Sequence, residues 1–171
     1  MANDLLTISP DRVRIIPHEV CSSKSAVIAH LTALFAAAYR RPESADEWAA
    51  RINRLEAIGS SGIGGHIAML HPFQRQDEDI ETAHPVGDFW YFLIPGGIDW
   101  DAIDAEPVHV VFASAFRRDA RRDVCRKGVW AVLRVWSKLP AKETVALATM
   151  SAKAAAGWIT AALAEGLNEQ R

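Results

Sequence analysis

A chain of 171 residues that is 50% hydrophobic and 23% charged has enough apolar surface for one core and is too hydrophobic to stay disordered. We therefore expect a single domain spanning residues 1–171. A formal charge of -2 is too small to build a field that would hold nucleic acid or an anionic membrane, so neither is an expected partner.

In chain order, the amino terminus MANDLLTISPDRVRI is interrupted by Asp4 and Pro10. It lacks the basic start, apolar middle and small-residue site of a secretory signal. DRVRII, Asp11 to Ile16, alternates briefly and suggests a short extended piece. SSKSAVIAHLTALFAAAYRR offers Ser22 and Ser23 as caps and places Val27, Leu31, Leu34 and Ala38 at helical spacing. SADEWAARINRLEAIG predicts a second helix, opened by a Ser44–Glu47 capping box and closed at Gly59 by a left-handed residue. HIAML, bounded by glycine and proline, predicts a short strand that ends at His71. DFWYFLI (Asp88 to Ile94) and VHVVFASAF (Val108 to Phe116) are continuous apolar runs of strand length, as strands covered on both faces are. Val129, Val132, Leu133, Trp136 and Leu139 form a helical stripe up to Pro140. Helices around Lys142 to Thr149 and Ala152 to Leu163 follow, the second with Ser151 as cap. Val145 to Ala164 is alanine-rich but carries Lys153, which suits buried helix better than a membrane span. Helices around a few buried strands define an α/β protein with one layer of sheet.

The two cysteines, Cys21 and Cys125, can form neither a disulfide framework nor a thiolate zinc site, and a reducing cytoplasm is the expected compartment. Six histidines, at 18, 30, 66, 71, 84 and 109, show no metal-binding spacing, so no metal or cofactor is expected. DEDIE, Asp77 to Glu81, lacks the spacing of a calcium loop. His30 is expected at a helix surface or core edge, and His109 is expected to be structural, with Asp104 within reach of it. Trp48, Trp130 and Trp136 are expected core anchors or interface residues. Trp90 and Trp100 fit either the core or the rim of a docking surface.

The chemistry concentrates in SSGIGGHIAMLHPF, Ser60 to Phe73. Glycines at 59, 62, 64 and 65 permit positive φ and close approach of another group, so successive N–H groups can turn into one concavity that favours anions. Neither phosphate-cradling nucleotide motif is completed here. His71, ahead of Pro72, is biased to extended geometry at a strand end, where reactive groups are presented. An unprotonated ring nitrogen there can attack phosphorus. Hydroxyls of Ser60 and Ser61 and the amides of Gly62, Gly64 and Gly65 are candidates to hold the transferred oxygens.

The stretch GSSGIGGHIAMLHP resembles the GSTGIGxGIAIPHG motif of the enzyme IIA domains of the fructose and mannitol class in the bacterial sugar phosphotransferase system, a family that includes the nitrogen-regulatory IIA proteins. IDWDAIDAEPVHVVFA, Ile98 to Ala113, resembles that family's second block, and the likeness extends over roughly Leu5 to Leu163. The resemblance implies a mixed sheet with helices on both faces and a histidine that receives a phosphoryl group from the phosphohistidine carrier protein. Only His71 matches that acceptor, preceded by the matching Gly62, Ile63, Gly64, Ile67 and Ala68. No permease or sugar-binding feature accompanies these motifs, which favours the regulatory branch of the family over sugar uptake.

The chain also departs from the family pattern. Leu70 stands where proline usually precedes the acceptor, Leu55 where the preceding helix carries arginine, and Val124 where a second histidine lies. In RRDARRDVCRK, Arg117 to Lys127, the residues Arg118, Arg122 and Arg126 recur on one helix face and could direct guanidinium groups at a phosphate. The same arginines can instead pair with Asp119 and Asp123. The departures leave open a protein that keeps the fold without the transfer and serves as a regulatory binding module. A third reading, nucleic-acid binding through this basic segment, would show itself by strong salt dependence.

Overall fold

The computed structural model describes residues 7–70, 80–82, 87–116, 129 and 132–168. Five strands form one mixed sheet: β1 (Val13–Ile15), β2 (Gly62–Gly64), β3 (Ile67–Met69), β4 (Gly87–Ile98) and β5 (Val108–Phe116), in the order β1-β4-β5-β3-β2. β1 runs parallel to β4, and β3 runs parallel to β5, while the central β4–β5 pair and the β2–β3 hairpin are antiparallel.

Alternation along the central strands divides the apolar residues into two layers. Trp90, Phe92 and Ile94 of β4 and Val111, Ala113 and Ala115 of β5 face α1 (Lys24–Ala38) and α2 (Ala45–Ile58), where Val27, Leu31, Phe35, Trp48 and Ile52 close the first core. Phe89, Tyr91, Leu93, Val110 and Phe112 face the opposite way. They meet α3 (132–138), α4 (Ala141–Ala148) and α5 (Ala152–Asn168) through Val132, Trp136, Leu147, Ala156 and Ile159. Both faces are therefore covered, as the unbroken apolar runs of β4 and β5 require. Trp90 and Trp100 are buried, at 1% and 0% exposure, so both are core rather than rim.

The helix ends follow the local signals in part. Ser23 caps α1 by accepting from the Ala26 amide at 3.1 Å, and Ser151 does the same for Ala154 at 3.3 Å in α5. The Ser44 capping box does not form: a 3-10 turn, Pro42–Ser44, runs directly into α2, so Ser44 has helical backbone angles and its side chain makes no cap bond. Gly59 does not end α2 in a left-handed conformation. It is extended, with φ -165°, and its amide bonds back to the Leu55 carbonyl at 3.0 Å.

The glycine segment itself is strand β2, its edge wrapped by the β4–β5 connection through the Ile103 amide and the Gly62 carbonyl at 3.1 Å. At Gly62 a Cβ would lie 2.7 Å from the Ala102 Cα, a backbone contact that cannot move aside cheaply. A Cβ at Gly59 would meet nothing within 4 Å. Gly62→Ala is expected to destabilise the protein by about 1–3 kcal/mol through overpacking. Gly59→Ala should be neutral, or stabilising by up to about 1 kcal/mol. Urea denaturation of the two variants measures the contrast, and equal midpoints would refute it.

Candidate functional site

α2 ends at Ile58, and the chain then enters a polar knot before becoming strand. Glu56, with its side chain only 2% exposed, accepts from the Ser61 amide at 3.0 Å and pairs with Lys24 Nζ at 3.4 Å. The same ammonium donates to the Trp100 carbonyl at 3.0 Å and to Asp101 at 2.9 Å. Ser60 Oγ donates to that carbonyl at 2.8 Å and accepts from the Gly62 amide at 3.2 Å. Ser61 Oγ, buried, accepts from the Trp100 indole at 3.0 Å. The two serines and the first glycine thus tie the start of α1, the end of α2 and the β4–β5 connection to β2.

Register decides which of the sequence-predicted groups meet. Gly62 stands opposite Ala68, and the Met69 amide donates to the Ser61 carbonyl at 2.9 Å. Ser60 and Ser61 therefore lie toward the carboxyl end of β3. Gly64 and Gly65, at φ 88° and 63°, make the turn at the other end of that strand, about 10 Å away for three residues at ~3.3 Å each. The Gly65 amide donates to Asp104 Oδ2 at 2.8 Å. The loop is thus split across both ends of β3, and its Ser61, Gly62 and Gly65 amides are occupied by groups of the chain itself. β3 ends at Met69, and the Leu70 amide still donates to the Phe112 carbonyl at 2.8 Å. His71 and Pro72 lie outside the described residues, as do His84, Trp130, Asp77 to Asp79, residues 1–6 and the whole segment Arg117 to Lys127 with Arg122, Val124 and Cys125. On α2, Leu55 and Arg51 share a face, one helical turn apart, and both are half-buried, whereas Arg54 is exposed.

The turn end of the hairpin holds a second cluster. His66, at φ 66°, bonds the Pro107 carbonyl through Nδ1 at 2.8 Å, and His109 bonds the Ile94 carbonyl through Nδ1 at 3.2 Å. A carbonyl only accepts, so each Nδ1 carries the proton. The rings meet edge to face at 5.3 Å. Asp104 does not reach His109; its carboxylate is taken by the Gly65 and Glu106 amides, and these bonds hold its pKa below the usual value. Burial, followed by repulsion from His66, lowers the pKa of His109.

Sequence reading missed a third group. Asp88, at the start of β4, accepts from Tyr39 Oη at 2.9 Å and from Arg12 at 3.0 Å. Tyr39 in turn accepts from the Trp90 indole at 2.8 Å, and the Arg12 guanidinium lies 4.4 Å from the centre of that ring. Burial, then the Asp88 charge, pushes the Tyr39 phenol pKa up, so it stays a donor. An aspartate opening an otherwise apolar strand was the only available signal. Among the described residues, no three His, Cys, Asp or Glu side chains group to hold a metal ion. No helix among them is long and apolar enough to cross a membrane.

A five-stranded mixed sheet between two helical layers, with a glycine-rich hairpin leading to one strand end, defines an α/β domain with one layer of sheet. Residues 8–126 match the family model of the phosphoenolpyruvate-dependent sugar phosphotransferase system, EIIA 2, and the chain belongs to that family. A comparison with curated proteins found no match. Among solved structures, the nitrogen regulatory protein IIA-Ntr from Neisseria meningitidis is 14% identical with a TM-score of 0.61, covering 94% of this chain and 98% of that one. IIA mannitol from Escherichia coli is 13% identical with a TM-score of 0.63, over 90% and 98%. IIAMTL in its complex with phosphorylated enzyme IIBMTL, also from Escherichia coli, is 11% identical with a TM-score of 0.63, over 90% and 96%. At these identities the likeness is one of fold.

Two outcomes follow from the clusters. Tyr39→Phe leaves the buried Trp90 indole without its acceptor and is expected to lose about 1–3 kcal/mol in chemical denaturation. For His109 the folded pKa lies below the unfolded 6.5, so the unfolded chain binds the proton more readily and its contribution to stability is lost as pH falls below about 6.5. The urea midpoint should drop from pH 7 to pH 5 more steeply in the wild type than in His109→Gln. Parallel pH profiles would remove this assignment.

Proposed function

We propose that this domain accepts a phosphoryl group on His71 from the phosphohistidine carrier protein of a bacterial phosphotransferase system. It then passes the group on or uses its phosphorylation state to select a regulatory partner in the cytoplasm. The observation that carries the reading is the seating of Leu70: its amide is still bonded into the sheet, and the chain leaves β3 beside β5 at the carboxyl end of a parallel pair. His71 is the next residue in the chain, and parallel sheets present reactive groups at the carboxyl ends of their strands.

In the transfer, the neutral ring nitrogen of His71 attacks phosphorus as the nitrogen–phosphorus bond to the carrier's histidine breaks. The leaving imidazole retains the electron pair of that bond. The dianion requires donors or cations. Ser60 and Ser61 lie toward this end of β3, and Arg122 follows β5, whose carboxyl end runs beside that of β3. Arg51, one turn before Leu55, is the α2 candidate. Gly64 and Gly65 serve this site by turning the hairpin. Membership of the family supports the donor assignment. The nitrogen regulatory relative supports a regulatory role, and the complex of IIAMTL with phosphorylated IIBMTL supports a protein partner downstream.

The second reading, a binding module without transfer, is favoured by Leu55 and by the internal use of the loop amides and serine hydroxyls. Incubation with phosphoenolpyruvate, the general phosphotransferase enzyme and the carrier protein separates the two. Acid-labile phosphate is expected on the wild type and not on His71→Ala. Arg122→Ala is expected to slow incorporation by at least about tenfold, as loss of one charge-assisted contact would. Absence of label on the wild type would leave only the binding module.

A further inference from the structure

Between α3, α4 and α5, away from the glycine hairpin, the helices leave a hollow of about 260 Å³. Its apolar wall is formed by Leu139 and the half-buried indole of Trp158, which packs against Trp136 at 6.4 Å. Its rim is charged with both signs. Arg134 and Lys138 stand one turn apart on α3, Glu143 comes from α4 and Glu165 from α5. Among the described residues, Arg134, Glu143 and Glu165 form no ion pair with one another or with other side chains, although all three border one hollow.

This arrangement selects by exclusion. A simple anion such as phosphate would meet two carboxylates, and a metal cation would meet a guanidinium and an ammonium, so either is repelled by half of the rim. A molecule carrying both charges a short distance apart satisfies both walls, and an apolar body on it would lie against the indole. The volume falls below the ~300–1,000 Å³ of pockets for drug-sized ligands, in keeping with an occupant the size of a free amino acid. We infer that the hollow between α3, α4 and α5 binds a free amino acid with an aliphatic or aromatic side chain. Its carboxylate lies toward Arg134, its ammonium toward Glu165 and its side chain on Trp158.

Isothermal titration of the full chain with L-leucine and L-phenylalanine, each to about 10 mM, covers the millimolar affinities expected of so small a ligand. Saturable binding of at least one free amino acid is expected, with no binding of its N-acetyl amide, which lacks both charges. Arg134→Gln and Glu165→Gln, both at exposed positions, should each weaken binding by about tenfold. They should leave the circular dichroism spectrum and the incorporation of phosphate unchanged. Three results would each overturn the assignment: no saturable heat with either amino acid, equal binding of the capped compound, or wild-type affinity in both variants. A failure of phosphotransfer would leave this titration unaffected, since the hollow and His71 share no residue.

Discussion

The carboxylate of Glu56 is the constraint on which the hairpin side of the molecule depends. A carboxylate this far from water is tolerated only with a countercharge and donors, and it finds the Lys24 ammonium and the Ser61 amide. Because Lys24 also holds the Trp100 carbonyl, one ion pair fixes α1, α2, the start of β2 and the β4–β5 connection relative to each other. Once Ser61 is fixed, the Met69 amide that bonds its carbonyl is fixed too. Met69 stands in register with Phe112 of the central pair. The place where the chain leaves β3 is therefore set by a chain of polar contacts that starts at a helix end.

That chain of contacts explains why the glycines are spent as they are. Gly62 has no room for a side chain because the β4–β5 connection crosses over it. Gly64 and Gly65 are needed for the positive φ of a tight turn. The Gly62 and Gly65 amides, which the sequence suggests could face an anion, are instead satisfied by Ser60 and Asp104.

The sheet was legible where hydrophobicity was continuous. Runs such as DFWYFLI and VHVVFASAF have the length and the β-branched and aromatic content of strands buried on both faces. The stripe read for α1 is shifted: Val27 and Leu31 are buried, but Phe35 and Ala36 complete the buried face, while Leu34 is half-buried and Ala38 exposed. β2 was not legible, because three residues with two glycines carry no period and the strand exists only through its pairing with β3. The capping box at Ser44 failed for a local reason: Pro42 starts a 3-10 turn one residue early, so Ser44 is already helical and its hydroxyl cannot reach forward. Of the candidate site, the glycine-rich loop and its serines were visible as composition. The split of the glycines between two ends of β3 depends on register, which single-sequence spacing does not encode.

The tetrad of Arg12, Asp88, Tyr39 and Trp90, three buried side chains and a half-buried guanidinium, shows the same limit from the other direction. Its members come from the stretch before β1, the end of α1 and the start of β4, so no window of sequence contains them together. Yet each is explained by the others. Asp88 can open a strand buried on both faces because Arg12 and Tyr39 satisfy it. Tyr39 can be buried because its hydroxyl has both a donor and an acceptor. Arg12 spreads over the Trp90 face, which adds attraction without requiring a further acceptor. Asp88 stands opposite Ala115, near the carboxyl end of β5. The tetrad therefore braces the same end of the sheet toward which β3 delivers the chain, and the edge strand β1 is held to that end by charge as well as by its ladder.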